Sequence, residues 1–241
     1  MIKGSDNGGR QESLKEDLSP PEDKGNVVGR IFLLWGIGIL LPWNAVLTCF
    51  DFFGDEMKGY NPAFIYPFAV NGFNAMTQVC IIVYGYKLSD KTKIQHGFVG
   101  LTVIILLLPI LAHYLATPGA KFISCFAALL VFGAINGMVQ AQVFGLGGIM
   151  PGQYMGAIMF GNGISGIAMN LLRMVFVIAL PDSSLYLQAQ IFFILAALIL
   201  AVSAWAYNVL YQNEFFLYYK NLSMKANKPQ QMDTQGDEEI N

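Results

Sequence analysis

Six stretches of this chain are long, apolar and almost free of charge, and a stretch of that kind has few ways to fold. They run from Ile31 to Phe50, Ala63 to Tyr86, Gly97 to Ala116, Phe122 to Gly148, Tyr154 to Leu180 and Leu185 to Tyr211. Five carry no Asp, Glu, Lys or Arg, and the fifth in order carries only Arg173. About 20 apolar residues cross the hydrocarbon core of a bilayer as a helix. Lipid offers no partners to backbone N–H and C=O groups, so a spanning segment must satisfy them internally as a helix or in a closed barrel. A barrel would show alternating segments of about ten residues, and none is present. The expectation is an all-α membrane bundle of six transmembrane helices, the size of one half of a major-facilitator-like carrier.

Composition agrees with this reading. Charged residues make up 12% of the 241 residues and hydrophobic ones 55%, against roughly a quarter charged in a soluble domain. The net charge of -2 and the absence of a basic face argue against nucleic acid as a partner. Residues 1–26 are polar and contain prolines, and they read as a disordered cytoplasmic tail. Residues 27–219 form the six-helix domain, and 220–241 a cytoplasmic tail or the start of a central loop. Cys49, Cys80 and Cys125 fall within apolar runs without metal or disulfide spacing and read as small core residues. No nucleophile elbow, HExxH or Walker loop is present, so nothing calls for a catalytic residue, metal or cofactor.

Basic residues orient the bundle, because cytoplasmic loops carry excess Lys and Arg. Lys24, Arg30, Lys87, Lys91, Lys93, Lys220, Lys225 and Lys228 fall on one side, and only Lys58 and Lys121 on the other. Both termini are therefore expected in the cytoplasm, with plasma membrane as the default location. Asn221, Leu222 and Ser223 match a glycosylation sequon, which goes unused on that side. Tyr86, Tyr207 and Tyr211 near span ends read as interface anchors.

Polar residues recur inside the spans at helical spacing. Asn44, Thr48 and Asp51, the last just past the first run, share a face of the first helix, and Asn71, Asn74 and Gln78 a face of the second. Asn136 and Gln140 lie one turn apart in the fourth, and Asn162, Asn170 and Arg173 share a broad face of the fifth. Single amides can serve only to tie helices together. Polar faces on four helices favour a shared solute pathway. Arg173, a charge at membrane depth, calls for a partner: Asp51, Asp182, backbone carbonyls, or a group outside the chain. The alternative is that it snorkels to an interface. His96 and His113 lie at span ends with no carboxylate at helical spacing, and read as interfacial.

Glycines recur as well. Gly133, Gly137 and Gly145, with Ala141, follow a four-residue period, and Gly161, Gly163 and Gly166 crowd the fifth run. Small residues at this spacing let helix backbones touch. The turn "GGIMPGQ" is short enough to make the fourth and fifth helices antiparallel neighbours.

"GILLPWNAVLTCFDFF" in the first span resembles the first helix of the equilibrative nucleoside transporters, where a Leu-Pro-Trp-Asn element recurs. "QAQVFGLGGIMPGQYMGAIMFGNGISG" is similar to the family's signature across its fourth and fifth helices, and "NLLRMV" to a fifth-helix pattern. The likeness covers about Val27 to Tyr219. It implies facilitated diffusion of nucleosides or nucleobases by alternating access. It also implies that Trp43 borders the solute with Asn44 beside it, that Gln140 contacts the solute, and that Gly161 and Gly166 match fifth-helix glycines. Asn162 stands where several relatives have Gln. A nucleoside can stack its base on Trp43 and meet the amide of Gln140 with donor and acceptor. Asn74, Gln78, Asn136, Asn162 and Arg173 complete the candidate binding set. Family members are expected to have eleven spans, so this chain corresponds to a fragment or to a half-sized member that works with a second transporter half or as a homo-oligomer. The alternatives are another major-facilitator-like solute carrier, or a non-transporting membrane subunit that regulates a full-length carrier.

Overall fold

In a computed structural model, residues 21–179 and 185–226 are described, and among them every long element is a helix. These are α1 (Val27–Thr48), α2 (Phe50–Glu56), α3 (Pro62–Tyr84), α4 (Gly97–Tyr114, entered through a π-turn at Thr92–His96), α5 (Pro118–Ile149), α6 (Gly152–Ala179), α7 (Leu185–Leu210) and α8 (Glu214–Ala226). Residues 1–20 of the expected disordered tail lie outside the described residues, as do Asp182, Lys228 and most of the segment after Lys220, while Lys24–Asn26 at the tail's end form a short 3-10 turn.

Among the described residues, five helices are long and apolar enough to cross a membrane: α1, α4, α5, α6 and α7. The sixth expected span, α3, is 23 residues long and uncharged, but Asn71, Asn74 and Gln78 dilute its hydropathy.

Two helix starts are set by sequence. Asn61 accepts a hydrogen bond from Phe64 N at 3.3 Å before Pro62, and Thr117 accepts one from Ala120 N at 3.2 Å before Pro118. Each pairs a capping side chain with a proline at the first helical position, where a missing N–H costs nothing. Pro42 is buried and α1 stays helical through it, leaving the Gly38 carbonyl without its helical donor.

The contacts give the directions of the helices. Along α1 and α6, Gly36 meets Ile158, Asn44 meets Ser165 and Asp51 meets Arg173, so the two helices advance together and run parallel. Val70 with Gly133, Asn74 with Gly137 and Gln78 with Gln140 make α3 and α5 a second parallel pair. By contrast, Gln95 with Asn208 and His113 with Tyr186 run α4 and α7 antiparallel. Trp35 near the start of α1 bonds Ser203 near the end of α7, so these two ends lie at the same end of the bundle.

Close backbone approach holds the two parallel pairs. A β-carbon on Gly36 would strike the Ile158 carbonyl, one on Gly161 the Leu33 carbonyl, one on Gly133 the Val70 carbonyl and one on Gly137 the Asn74 carbonyl. Gly145 and Gly163 face open space, and a β-carbon on Gly166 would sit 3.8 Å from Asn44 Nδ2, so no close packing demands glycine at these three. The turn between α5 and α6 is tight, yet α6 lies mainly against α1 rather than α5. The core is centred on α1, where fully buried Trp35 donates from Nε1 to the Ser203 carbonyl of α7 at 2.9 Å. Cys49 and Cys125 are buried as expected, whereas Cys80 is exposed on the outward face of α3, because the apolar run there belongs to a helix packed on one side only.

Candidate functional site: amide clusters on two parallel helix seams

The α3–α5 seam carries the first cluster. Glycine at 137 lets α5 approach the Asn74 backbone, and one turn further on Gln78 Nε2 donates to Gln140 Oε1 at 3.1 Å and to Asn74 Oδ1. Asn136 lies one turn before Gln140, 4% exposed, and its Oδ1 has no hydrogen-bond partner. A buried carbonyl oxygen left so costs roughly 1–3 kcal/mol.

The α1–α6 seam carries the second. Asn44 Nδ2 donates to Ser165 Oγ at 3.1 Å, and Ser165 Oγ donates to the Asn162 backbone carbonyl at 2.7 Å. The side-chain Oδ1 of Asn162 is buried without a partner. Trp43 is half-buried, set edge-on to Phe50 with ring centres 6.5 Å apart. Ser165 is fully buried and joins the cluster although the sequence reading passed over it; its only signal was the three-residue step from Asn162.

Two turns along the same seam, Arg173 Nη2 meets Asp51 Oδ2 at 2.6 Å and Nη1 donates to Gln188 Oε1 of α7 at 2.9 Å. Of the partners weighed for Arg173, Asp51 is the one observed among the described residues; Asp182 lies outside them. Gln188, 2% exposed, was not anticipated. Three expected face residues are used elsewhere. Thr48 donates to the Ala45 carbonyl of its own helix at 2.8 Å, Asn170 to the Gly166 carbonyl at 2.8 Å, and Asn71 is exposed. Short polar side chains that find a carbonyl one turn back do not reach across a seam.

Two ionic clusters close the ends of the bundle. At one end, Glu56 takes Lys121 Nζ at 2.5 Å and His113 Nδ1 at 2.6 Å, with His113 stacked on Tyr186 at 4.0 Å. His113 thus has a carboxylate from another helix, which spacing along its own helix could not reveal. Burial pushes the Glu56 carboxyl up, but its bonds to Lys121 and His113 outweigh that and hold it below its ordinary value. At the other end, Asp90 accepts from Lys220 Nζ at 2.5 Å, Tyr211 OH at 2.8 Å and Gln142 Nε2 at 3.1 Å, with Lys93 Nζ at 3.5 Å. Burial again works against ionisation, and the bonds from Lys220 and Tyr211 prevail, lowering the Asp90 carboxyl. Tyr207 and Tyr211, expected as interface anchors, stack on each other at 4.2 Å in this cluster. The side chain of Tyr86 lies outside the described residues.

A groove of about 430 Å³ opens between α3 and α5 beside Phe68, Phe73, Met76 and Phe126; the amides lie elsewhere. A polar seam within an apolar helix bundle, with the family-like motifs on its walls, is the arrangement against which known proteins can be compared. The sequence model of the family described as Nucleoside transporter matches residues 125–241. The chain resembles the nucleoside transporters. Equilibrative nucleotide transporter 1 of Arabidopsis thaliana is 28% identical over 206 residues, 78% of this chain and 44% of the relative. Equilibrative nucleotide transporter 8 of the same plant is 26% identical, over 83% of this chain and 53% of its own length. Equilibrative nucleoside transporter 1 of Homo sapiens is 24% identical, over 86% and 52%. The chain spans about half the length of these curated relatives. The resemblance read from the motifs thus holds over most of the chain, and it identifies an integral membrane protein similar to nucleoside transporters.

Proposed function

We propose that this chain forms the first helix bundle of a carrier, rather than an enzyme, that moves nucleosides or nucleobases by facilitated diffusion. In this reading α3 is the sixth span and both termini are cytoplasmic. The two seams face a solute pathway that a second bundle completes, and rocking of the two bundles gives alternating access.

The observation that carries the reading is the set of amides held without full partners. Asn136 and Asn162 each keep a buried oxygen unpaired, and the half-buried Gln140 receives a single hydrogen bond from Gln78. Such groups suit the polar rim of a base or ribose, which supplies donors that lipid cannot. Trp43, half-buried one residue before Asn44, offers a ring face for stacking. The second bundle would cover the later turns of α6, along which Ile167, Leu171, Val175 and Ile178 are exposed.

The test is uptake of labelled uridine and adenosine by cells expressing the full reading frame, with surface abundance measured alongside. Trp43→Ala and Gln140→Ala should abolish most uptake at normal surface level. Unchanged uptake with altered abundance of a co-expressed full-length carrier would favour the regulatory-subunit reading instead.

A further inference from the structure

A second groove, separate from the amide seams, opens where α1 and α6 begin. It encloses about 220 Å³ and is lined by Asn26, Arg30 and Leu33 from the α1 side and by Gln153, Tyr154 and Phe160 from α6. Its polar and apolar walls are sorted along the helix axes. Asn26, Arg30 and Gln153 sit at the helix starts; one turn inward come Leu33 and Ala157, and Phe160 follows, 66% exposed. Asn26 adopts a left-handed backbone conformation, φ 52°, and its side chain fills the space where a β-carbon on Gly29 would lie.

Arg30 is exposed and, among the described residues, forms no ion pair. The nearby carboxylate of Asp23 is occupied: Oδ1 accepts from Val28 N at 3.3 Å and Oδ2 from Tyr154 OH at 3.1 Å. The groove therefore presents a free guanidinium, with amide donors on either side, above an apolar floor that descends along two membrane-crossing helices.

We propose that this groove seats one anionic phospholipid, its phosphate on Arg30 with Asn26 and Gln153, and an acyl chain along Leu33, Ala157 and Phe160. A guanidinium forms short, charge-assisted hydrogen bonds to phosphate oxygens. The apolar floor distinguishes a lipid from a soluble phosphate, which would use the mouth alone. The proposal rests on α1 and α6 crossing a bilayer, as the functional reading also does, but it requires no transport.

The test is native mass spectrometry of the full chain released from micelles. It is titrated with phosphatidylglycerol, with phosphatidylcholine and with inorganic phosphate, and uridine-induced thermal stabilisation is followed in the same preparation. One phosphatidylglycerol should be retained in preference to phosphatidylcholine. Arg30→Gln should weaken its retention by about tenfold, the size expected for one charge-assisted contact, and Arg30→Lys should recover part of it. Ala157→Trp, which blocks the floor and leaves the charge, should weaken phosphatidylglycerol without changing the response to inorganic phosphate. Equal retention by Arg30→Gln and wild type in folded, monodisperse protein would overturn the site. Retention of inorganic phosphate as tight as that of the lipid, or no effect of Ala157→Trp, would overturn the lipid as its occupant. Loss of the uridine response with lipid retained would count against the carrier reading alone.

Discussion

Arg173 of α6 reaches Asp51, just past the end of α1, at 2.6 Å, two turns beyond the point where Asn44 bonds Ser165 at 3.1 Å. The pairing fastens the far end of a parallel helix seam. Its two partners are unequal. The Asp51 side chain is 72% exposed and that of Arg173 23%, while the second acceptor, Gln188, is buried.

That inequality sets the mutational outcome. Asp51→Ala should cost less than about 1 kcal/mol, since an exposed ion pair is screened. Arg173→Ala should cost more, about 1–3 kcal/mol, because it leaves the Gln188 oxygen buried and unpaired. Thermal unfolding of the two variants in one detergent orders them, and a larger loss for Asp51→Ala would contradict the assignment.

The glycines divide in the same testable way. Gly161→Val and Gly133→Val force a side chain onto a backbone carbonyl, and overpacking of this kind costs about 1–3 kcal/mol or more. Gly145→Ala and Gly163→Ala meet nothing within 4 Å and should leave stability unchanged. Folded yield by fluorescence-detected gel filtration separates the classes; equal loss at Gly145 and Gly161 would refute the packing described.

Acid should loosen both ends of the bundle. Glu56 and Asp90 have carboxyls held below their ordinary values in the folded chain. Their contribution is therefore present above the unfolded-state values, about 4, and is lost as pH falls through the lower folded values. Melting temperature should drop on acidification below about pH 4. The double substitution Glu56→Gln with Asp90→Asn should lower the melting temperature at neutral pH and flatten that acid limb. An acid limb of undiminished steepness would mean that other groups set it.

Ser165→Ala removes the acceptor for Asn44 while keeping the small volume that the seam needs. It should leave folding nearly intact and weaken nucleoside binding several-fold, because the Asn44 amide is then free to turn. Binding equal to wild type would assign this bond to packing alone.

Much of the bundle was legible from charge-free runs, because lipid tolerates so few backbone solutions. The length of α3 was legible too, although its amides reduce the hydropathy that marks a span. Spacing along one helix found Asn74 with Gln78, and it placed Gly133, Gly137 and Gly161 where backbones touch. It could not find pairings between helices: Glu56 with His113, Asp90 with Lys220, or Gln188 with Arg173. These depend on which helices the fold brings together, and periodicity within one helix carries no record of that. The parallel course of α1 beside α6 was hidden for the same reason. The short turn after α5 pointed to α5 as the neighbour of α6, whereas the glycines at 36 and 161 draw α6 onto α1.

The measurement closest to the central claim is equilibrium binding of tritiated uridine and adenosine to the purified, reconstituted protein, expressed from its full reading frame. The account expects saturable binding that falls by about tenfold or more in Gln140→Ala and in Asn136→Ala, as for loss of a buried hydrogen-bonding partner, with melting temperatures near wild type. Saturable binding that neither substitution changes would place the solute elsewhere and contradict the amide seams as its site.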